Sequence, residues 1–165
     1  MTGAPWTAPP VHYEAWITCL AALEEGPVSH EALALLVRGT LDLEPSEITT
    51  YFQPRLTRAV NAMLQRAVRR LNRQIRQSLE WGEPDDLLTA LRRFRRATQD
   101  CLFFRQLSFL PAPCRQALAD AVEAEVGKCW ADMERWLTRA CATGDPRLEG
   151  LRRPLRRLRP CRKTG

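Results

Sequence analysis

Apolar residues recur every three or four positions through most of the chain, which is the spacing of helices that bury one face. The clearest case runs from Pro54 to Glu80, and after Pro54 it contains neither glycine nor proline. Because proline is tolerated in the first turn of a helix but not in its interior, we expect a new helix to begin at Pro54. The positions that predict its buried face are Leu56, Val60, Leu64, Ala67, Val68, Leu71, Ile75 and Leu79.

Glycine and proline divide the remaining sequence into further helices. The predicted spans are residues 11–25, 29–39, 45–52, 85–109 and 113–142, with Ser29 as an N-cap. No segment has the pattern of a convincing strand, and we find no internal repeat. Long helices joined by short breakers are expected to pack antiparallel. We therefore predict an all-α, single-domain helical bundle of about five helices, three of them long and roughly antiparallel.

The length of 165 residues fits one domain. Residues 1–10 contain three prolines and no periodicity, so we interpret them as a flexible leader. Residues 11–145 form the predicted bundle domain. Residues 146–165 form a basic tail.

A helical wheel separates apolar from basic side chains on the helix predicted from Pro54 to Glu80. At about 100° per residue, its arginines fall between about 120° and 240° from Leu64, opposite the apolar positions. They form a ridge about 30 Å long. We call this set the arginine ridge: Arg55, Arg58, Arg66, Arg69, Arg70, Arg73 and Arg76.

The arginine ridge contains no acidic residue, so pairs such as Arg69 and Arg73 repel each other by about 0.2–0.5 kcal/mol. Two explanations remain open. In the first, the acidic N-terminal helices or the carboxylates of the last long helix neutralise the ridge within the fold. In the second, the ridge meets an external anion, which is nucleic-acid phosphate, an acidic protein surface or a membrane lipid. The carboxylates considered on the last long helix are Asp120, Glu123, Asp132 and Glu134.

Charge is unevenly distributed along the chain. Residues 1–50 hold one basic and seven acidic side chains, whereas residues 51–81 hold seven basic side chains and one acidic. Of the 25 basic residues only Lys128 and Lys163 are lysine. The guanidinium of arginine suits phosphate and carboxylate recognition, which is one explanation for the preference for arginine over lysine. The codon usage of a GC-rich genome produces the same preference, and we attribute the larger part of it to codon usage.

The tail carries a second basic cluster that prolines interrupt. Such clusters serve as phosphate-binding arms or, in a eukaryotic or viral protein, as nuclear localisation signals, and a merely solubilising end is an equal alternative. The candidate contact residues in it are Arg152, Arg153, Arg156, Arg157 and Arg159.

The sequence offers no motif for catalysis, for a cofactor or for a metal. The six cysteines lack the spacing of a zinc site or a redox pair, and His12 and His30 are far apart. We expect the cysteines to be free and to pack in the core, as in a reducing, intracellular compartment. No signal-peptide pattern and no apolar run of membrane-spanning length occurs, so we expect no integral membrane association.

Two further segments have competing interpretations. Residues 29–57 resemble a degenerate helix-turn-helix, but the turn is long and the second helix has no arginine before Arg55, so a plain helical hairpin is favoured. Phe94 lies among four arginines, yet it is in register with apolar positions and is interpreted as core rather than as a base-stacking platform.

The hypothesis from sequence is a non-enzymatic adaptor or regulatory protein. It would bind a macromolecular partner with an acidic surface, preferentially a protein, through the arginine ridge and the basic tail. The alternative is a nucleic-acid-binding regulator that contacts phosphate. The sequence does not indicate an oligomeric state.

Overall fold

The computed structural model describes the backbone of residues 6–81, 84–142 and 144, and the side chains of residues 6–77, 86–139, 142 and 144. Within these residues the secondary structure is helical, without strands, and the predicted all-α, single-domain fold class is confirmed. The α-helices are α1 (Tyr13–Glu25), α2 (His30–Val37), α3 (Pro45–Glu47), α4 (Gln53–Trp81), α5 (Pro84–Leu102) and α6 (Ala112–Ala142). A π-helical turn (Ile48–Phe52) joins α3 to α4, and a 3-10 turn (Phe103–Gln106) follows α5.

The predicted helix start at Pro54 is wrong. α3, the π turn and α4 follow one another without a gap, so the helix continues from Pro45 to Trp81. Pro54 has no N–H to donate to the carbonyl of Thr50, and its ring would crowd that carbonyl in a regular α-helix. The π turn relieves the crowding by widening the helix just before Pro54, where the Gln53 N–H donates to the Ile48 carbonyl five residues back.

The chain divides into two compact units. Unit 1 comprises Met1–Arg66 and Ala97–Glu123, and unit 2 comprises Ala67–Arg96 and Ala124–Gly165. Helices α4, α5 and α6 are therefore each divided, with one part in unit 1 and the other part in unit 2.

The centre of unit 1 is an aromatic cluster. Trp16 of α1 is fully buried, and its ring lies 5.4 Å from the ring of Phe52 and 5.4 Å from that of Phe109, both edge to face. The Trp16 indole Nε1 donates to the Thr40 carbonyl at 2.9 Å, which satisfies its one polar atom. Other buried side chains of unit 1 are those of Leu20, Leu23, Leu36, Leu56, Val60, Leu64, Phe104 and Leu107.

Residues 6–10 correct the prediction of a flexible leader over residues 1–10, while residues 1–5 lie outside the described part of the chain. The Trp6 indole donates to the Ala32 carbonyl at 2.9 Å, and the Thr40 N–H donates to the Pro10 carbonyl at 3.0 Å. Gly39 lies at this contact, where a Cβ would be 2.6 Å from Trp16 Cζ2. The segment is therefore held against α2 and the chain that follows it.

The ends of α2 and α5 meet within unit 1. The predicted N-cap is confirmed, since the Ser29 hydroxyl accepts from the Ala32 N–H at 3.2 Å. His30, the first residue of α2, lies 3.1 Å from a carboxylate oxygen of Asp100 through its Nδ1 and packs edge to face on Phe103.

Unit 2 has its own apolar core. The predicted apolar positions Leu71 and Ile75 of α4 are buried, as are the α5 and α6 positions Leu87, Leu91, Phe94, Val126, Cys129, Trp130, Met133 and Leu137. Phe94 is only 3% exposed, which confirms that it belongs to the core. Leu79, Cys141 and the tail lie outside the residues whose side chains are described.

Candidate interaction surface

The part of α4 in unit 2 carries four arginines of the arginine ridge. Arg69, Arg70, Arg73 and Arg76 are all exposed, on successive turns of the helix. Arg69 already takes part in an interaction within the chain. We refer to the other three, Arg70, Arg73 and Arg76, as the arginine trio.

None of the three arginines forms an ion pair within 4.0 Å in the described part of the chain. The ion pairs that join His30 to Asp100 and Arg135 to Asp132 do not involve them. Two of the carboxylates considered as neutralising groups are bound on their own helix instead, since Asp132 pairs with Arg135 and Asp120 accepts from the Gln116 amide at 2.7 Å. Within the described side chains, no ion pair offsets the repulsion among these three arginines.

Arg66 differs from the rest of the arginine ridge, and its assignment to an outward surface needs correction. Its guanidinium caps the C-terminus of α1, where Nη1 donates to the Glu24 carbonyl at 2.7 Å and Nη2 donates to the Gly26 carbonyl at 3.1 Å. Nη2 also donates to the Leu23 carbonyl. The last carbonyls of a helix have no hydrogen-bond donor within that helix, and they attract positive charge. The carbonyls at the end of α1 therefore hold the Arg66 guanidinium in this position.

Arg55 and Arg58 are exposed but line a groove together with α1. This open groove, of about 260 Å³, is lined on the α1 side by Ile17, Leu20, Ala21, Glu24 and Glu25. We call it the α1–α4 groove. The acidic N-terminal region thus approaches the first part of the ridge, although within the described residues no ion pair forms between these carboxylates and either arginine.

Helix α5 adds arginines to unit 2. Arg92, Arg93, Arg95 and Arg96 are exposed around the buried Phe94, so α5 turns its basic side chains outward and its aromatic ring inward. Arg95 takes part in an interaction within the chain.

The candidate reading helix of a helix-turn-helix is not a separate element. Ile48 is buried, and the hydroxyls of Thr49 and Thr50 donate to the carbonyls of Pro45 and Ser46. The Gln53 side-chain oxygen accepts from the Cys114 thiol at 3.0 Å. These polar groups are engaged within unit 1, and the segment is the beginning of a long helix.

Tyr51 is an exposed aromatic side chain that the sequence analysis missed as a candidate. It is 60% exposed and lies in the π turn, directly before α4 and Arg55. A tyrosine among threonines gives no local signal of its exposure. Tyrosine and arginine are both enriched at binding hot spots, which makes the residue a candidate contact.

The described thiols are free and buried. Cys19, Cys101, Cys114 and Cys129 form no disulfide, as expected. Burial, with a smaller contribution from Asp100, raises the pKa of the Cys101 thiol to about 12. Burial likewise raises the pKa of Cys129 to about 11. Both groups are therefore protonated at neutral pH and act as small apolar side chains.

The candidate tail residues Arg152, Arg153, Arg156, Arg157 and Arg159 lie outside the described residues. Among the helices that are described, none combines the length and the hydropathy needed to cross a membrane. The described His, Cys, Asp and Glu side chains contain no group of three that could hold a metal ion.

Comparison with known protein families, with curated proteins and with solved structures finds no match.

The repulsion within the arginine trio predicts that Arg73→Glu stabilises the protein. The new carboxylate would lie one helical turn from Arg69, Arg70 and Arg76 and replace repulsion by attraction, so we expect the free energy of unfolding to rise by about 0.5–1.5 kcal/mol in low salt. Urea denaturation measures this change. Arg73→Gln should give an intermediate gain, and roughly 1 M NaCl should remove most of both gains. An unchanged stability in low salt would mean that the arginines are already neutralised within the chain.

Proposed function

We propose that the protein is a non-enzymatic adaptor or regulatory protein that binds the acidic surface of a partner protein through α4. The observation that carries the proposal is the arginine trio, which is exposed, has no ion pair among the described residues and lies on successive turns. A helix surface of this kind is destabilising by itself and becomes favourable when carboxylates of a partner lie against it.

The surroundings of Arg55 and Arg58 favour a protein partner over an extended polyanion. Glu24 and Glu25 line the same groove as these arginines and would repel a nucleic-acid backbone that followed the ridge toward the N-terminus of α4. A protein surface of mixed charge can place carboxylates against the arginines and basic groups against the glutamates. Arginine is also enriched at protein–protein contacts, where its planar guanidinium binds carboxylates in pairs.

Nucleic-acid binding is the second candidate function, and the α5 arginines favour it. Unit 2 presents Arg92, Arg93 and Arg96 in addition to the arginine trio, so its exposed surface is rich in phosphate-binding groups. The basic tail would add to this charge. Binding of this kind falls steeply with salt because each neutralised phosphate releases a counterion.

Affinity purification with charge-matched variants tests the proposal. The test variant carries Arg70→Gln, Arg73→Gln and Arg76→Gln. The control carries Arg38→Gln, Arg105→Gln and Arg139→Gln, which remove the same charge from exposed positions elsewhere. A partner protein should be recovered with the wild type and with the control, and its recovery should fall about tenfold or more with the test variant.

Gel-shift titration of duplex DNA and of single-stranded RNA, at low and moderate salt, separates the two candidates. Steeply salt-dependent binding that the test variant loses, with no protein recovered, would replace the protein-binding proposal by nucleic-acid binding. A partner recovered equally with both variants would remove the arginine trio from either function.

We also propose a reducing, intracellular compartment for the protein. The four buried free thiols support it, because they pack as apolar groups and none is close to a disulfide partner among the described cysteines. If the source is eukaryotic or viral, the basic tail would serve as a nuclear localisation signal.

A further inference from the structure

The α1–α4 groove combines apolar and acidic side chains of α1 with basic side chains of α4. Leu20 is buried, Ile17 is half-buried and Ala21 is exposed. Glu24 and Glu25 come from the last turn of α1, and Arg55 and Arg58 come from the first turns of α4. All of these residues belong to unit 1.

The walls of the groove are fixed in place by Arg66. Its guanidinium donates to the carbonyls of Leu23, Glu24 and Gly26, which ties the end of α1 to α4 directly beside the charged wall. The aromatic contact between Trp16 of α1 and Phe52 holds the two elements together at the other end. A groove that is already formed binds without the entropy loss of assembling its walls.

The two charged walls stay apart rather than neutralising each other. No ion pair within 4.0 Å joins Glu24 or Glu25 to Arg55 or Arg58, although all four line one space. The arginine donors and the glutamate acceptors therefore remain available to an occupant. An occupant that pairs with both must carry both charges, and an apolar group on it can cover the apolar lining residues.

Tyr51 precedes the basic side of the groove in the sequence. Its side chain is 60% exposed in the π turn that leads into α4, four residues before Arg55. Because tyrosine and arginine are both enriched at protein-binding hot spots, Tyr51 is a further candidate contact.

We propose that the α1–α4 groove binds a protein segment in which a leucine-like side chain lies between a carboxylate and a basic group. The carboxylate pairs with Arg55 and Arg58, the basic group pairs with Glu24 and Glu25, and the apolar side chain covers Ile17 and Ala21. This inference rests on the proposed function, since it names the chemistry of a segment that the partner protein supplies. It assigns this recognition to unit 1, whereas the arginine trio lies in unit 2.

Titration of the whole protein with short capped peptides tests the proposal by ¹⁵N NMR. The probes are Glu-Glu-Leu-Leu-Lys-Lys and the reverse order, because the direction of the bound segment is not specified. Two controls remove one feature each: Gln-Gln-Leu-Leu-Gln-Gln lacks the charges, and Glu-Glu-Ser-Ser-Lys-Lys lacks the apolar group. At least one probe should shift the amides of residues 17–25 and 51–58 and bind about fivefold tighter than either control.

Variants locate the binding site. Arg58→Gln and Glu25→Gln should each weaken the bound probe about threefold to fivefold, whereas Arg70→Gln should leave the affinity unchanged. Tyr51→Ala should weaken it by a similar factor. Absence of shifts at roughly 5 mM peptide, or equal binding of both controls, overturns the proposal.

The outcome is separable from that of the proposed function. If no probe binds while partner recovery still depends on the arginine trio, the groove proposal alone is wrong. If a probe binds in the groove while the arginine trio is dispensable for partner recovery, the groove proposal stands and the role of the trio is lost.

Discussion

Replacing Trp16 by alanine is expected to lower the free energy of unfolding by about 3–5 kcal/mol. Trp16 is fully buried, and its ring packs on the rings of Phe52 and Phe109 at the centre of unit 1. Alanine would leave a cavity there and would remove the hydrogen bond that the indole Nε1 donates to the Thr40 carbonyl. Chemical denaturation followed by far-UV circular dichroism measures the loss.

A second substitution at this position separates packing from hydrogen bonding. Trp16→Phe keeps an aromatic ring but removes the indole donor, so we expect a smaller loss of about 1–3 kcal/mol. Trp6→Ala is the comparison for a half-buried indole with one hydrogen bond, to the Ala32 carbonyl, and should cost about 1–2 kcal/mol. Equal losses for Trp16→Ala and Trp6→Ala would contradict the central position of Trp16.

Arg66→Ala is expected to destabilise the protein by about 2–3 kcal/mol. The substitution removes the donors of three carbonyls at the end of α1, those of Leu23, Glu24 and Gly26, and leaves the negative end of the helix dipole uncompensated. The change in the midpoint of urea denaturation, at unchanged slope, gives the magnitude.

Two variants serve as controls for the Arg66 prediction. Arg66→Lys retains the charge but cannot place two donor nitrogens on the carbonyls. We therefore expect it to lose about half as much free energy of unfolding as Arg66→Ala. Arg70→Ala removes an exposed arginine of the same helix and should change stability by less than about 0.5 kcal/mol. Similar losses at positions 66 and 70 would show that the cap contributes no more than an ordinary surface arginine.

The helices themselves were largely predictable, because their periodicity and their breakers are local properties of the sequence. Ser29 illustrates this, since its capping hydrogen bond involves a neighbour three residues away. Pro54 shows the limit of local rules. The sequence predicts a break there, whereas the helix continues by widening into a π turn just before the proline.

The candidate surface was only partly predictable for a related reason. A helical wheel gives the direction of Arg66 relative to its own helix, but not which element covers that direction. Here the end of α1 covers it, forty residues back in sequence from Gly26 to Arg66. Trp6 was missed likewise, because its one hydrogen bond reaches α2 and leaves no periodic signal in a proline-rich segment.

Site-specific photo-crosslinking tests the central claim most directly, namely that the arginine trio contacts an acidic partner protein. A photoreactive residue placed at Gln77 lies one turn from Arg73, beside Arg76, and leaves every arginine in place, while the same residue at Gln106 serves as a control on an exposed position of unit 1. We predict a protein adduct from position 77 that disappears when Arg70, Arg73 and Arg76 are changed to glutamine, and none from position 106. Adducts that persist without the arginine trio, or that contain nucleic acid alone, would contradict the account.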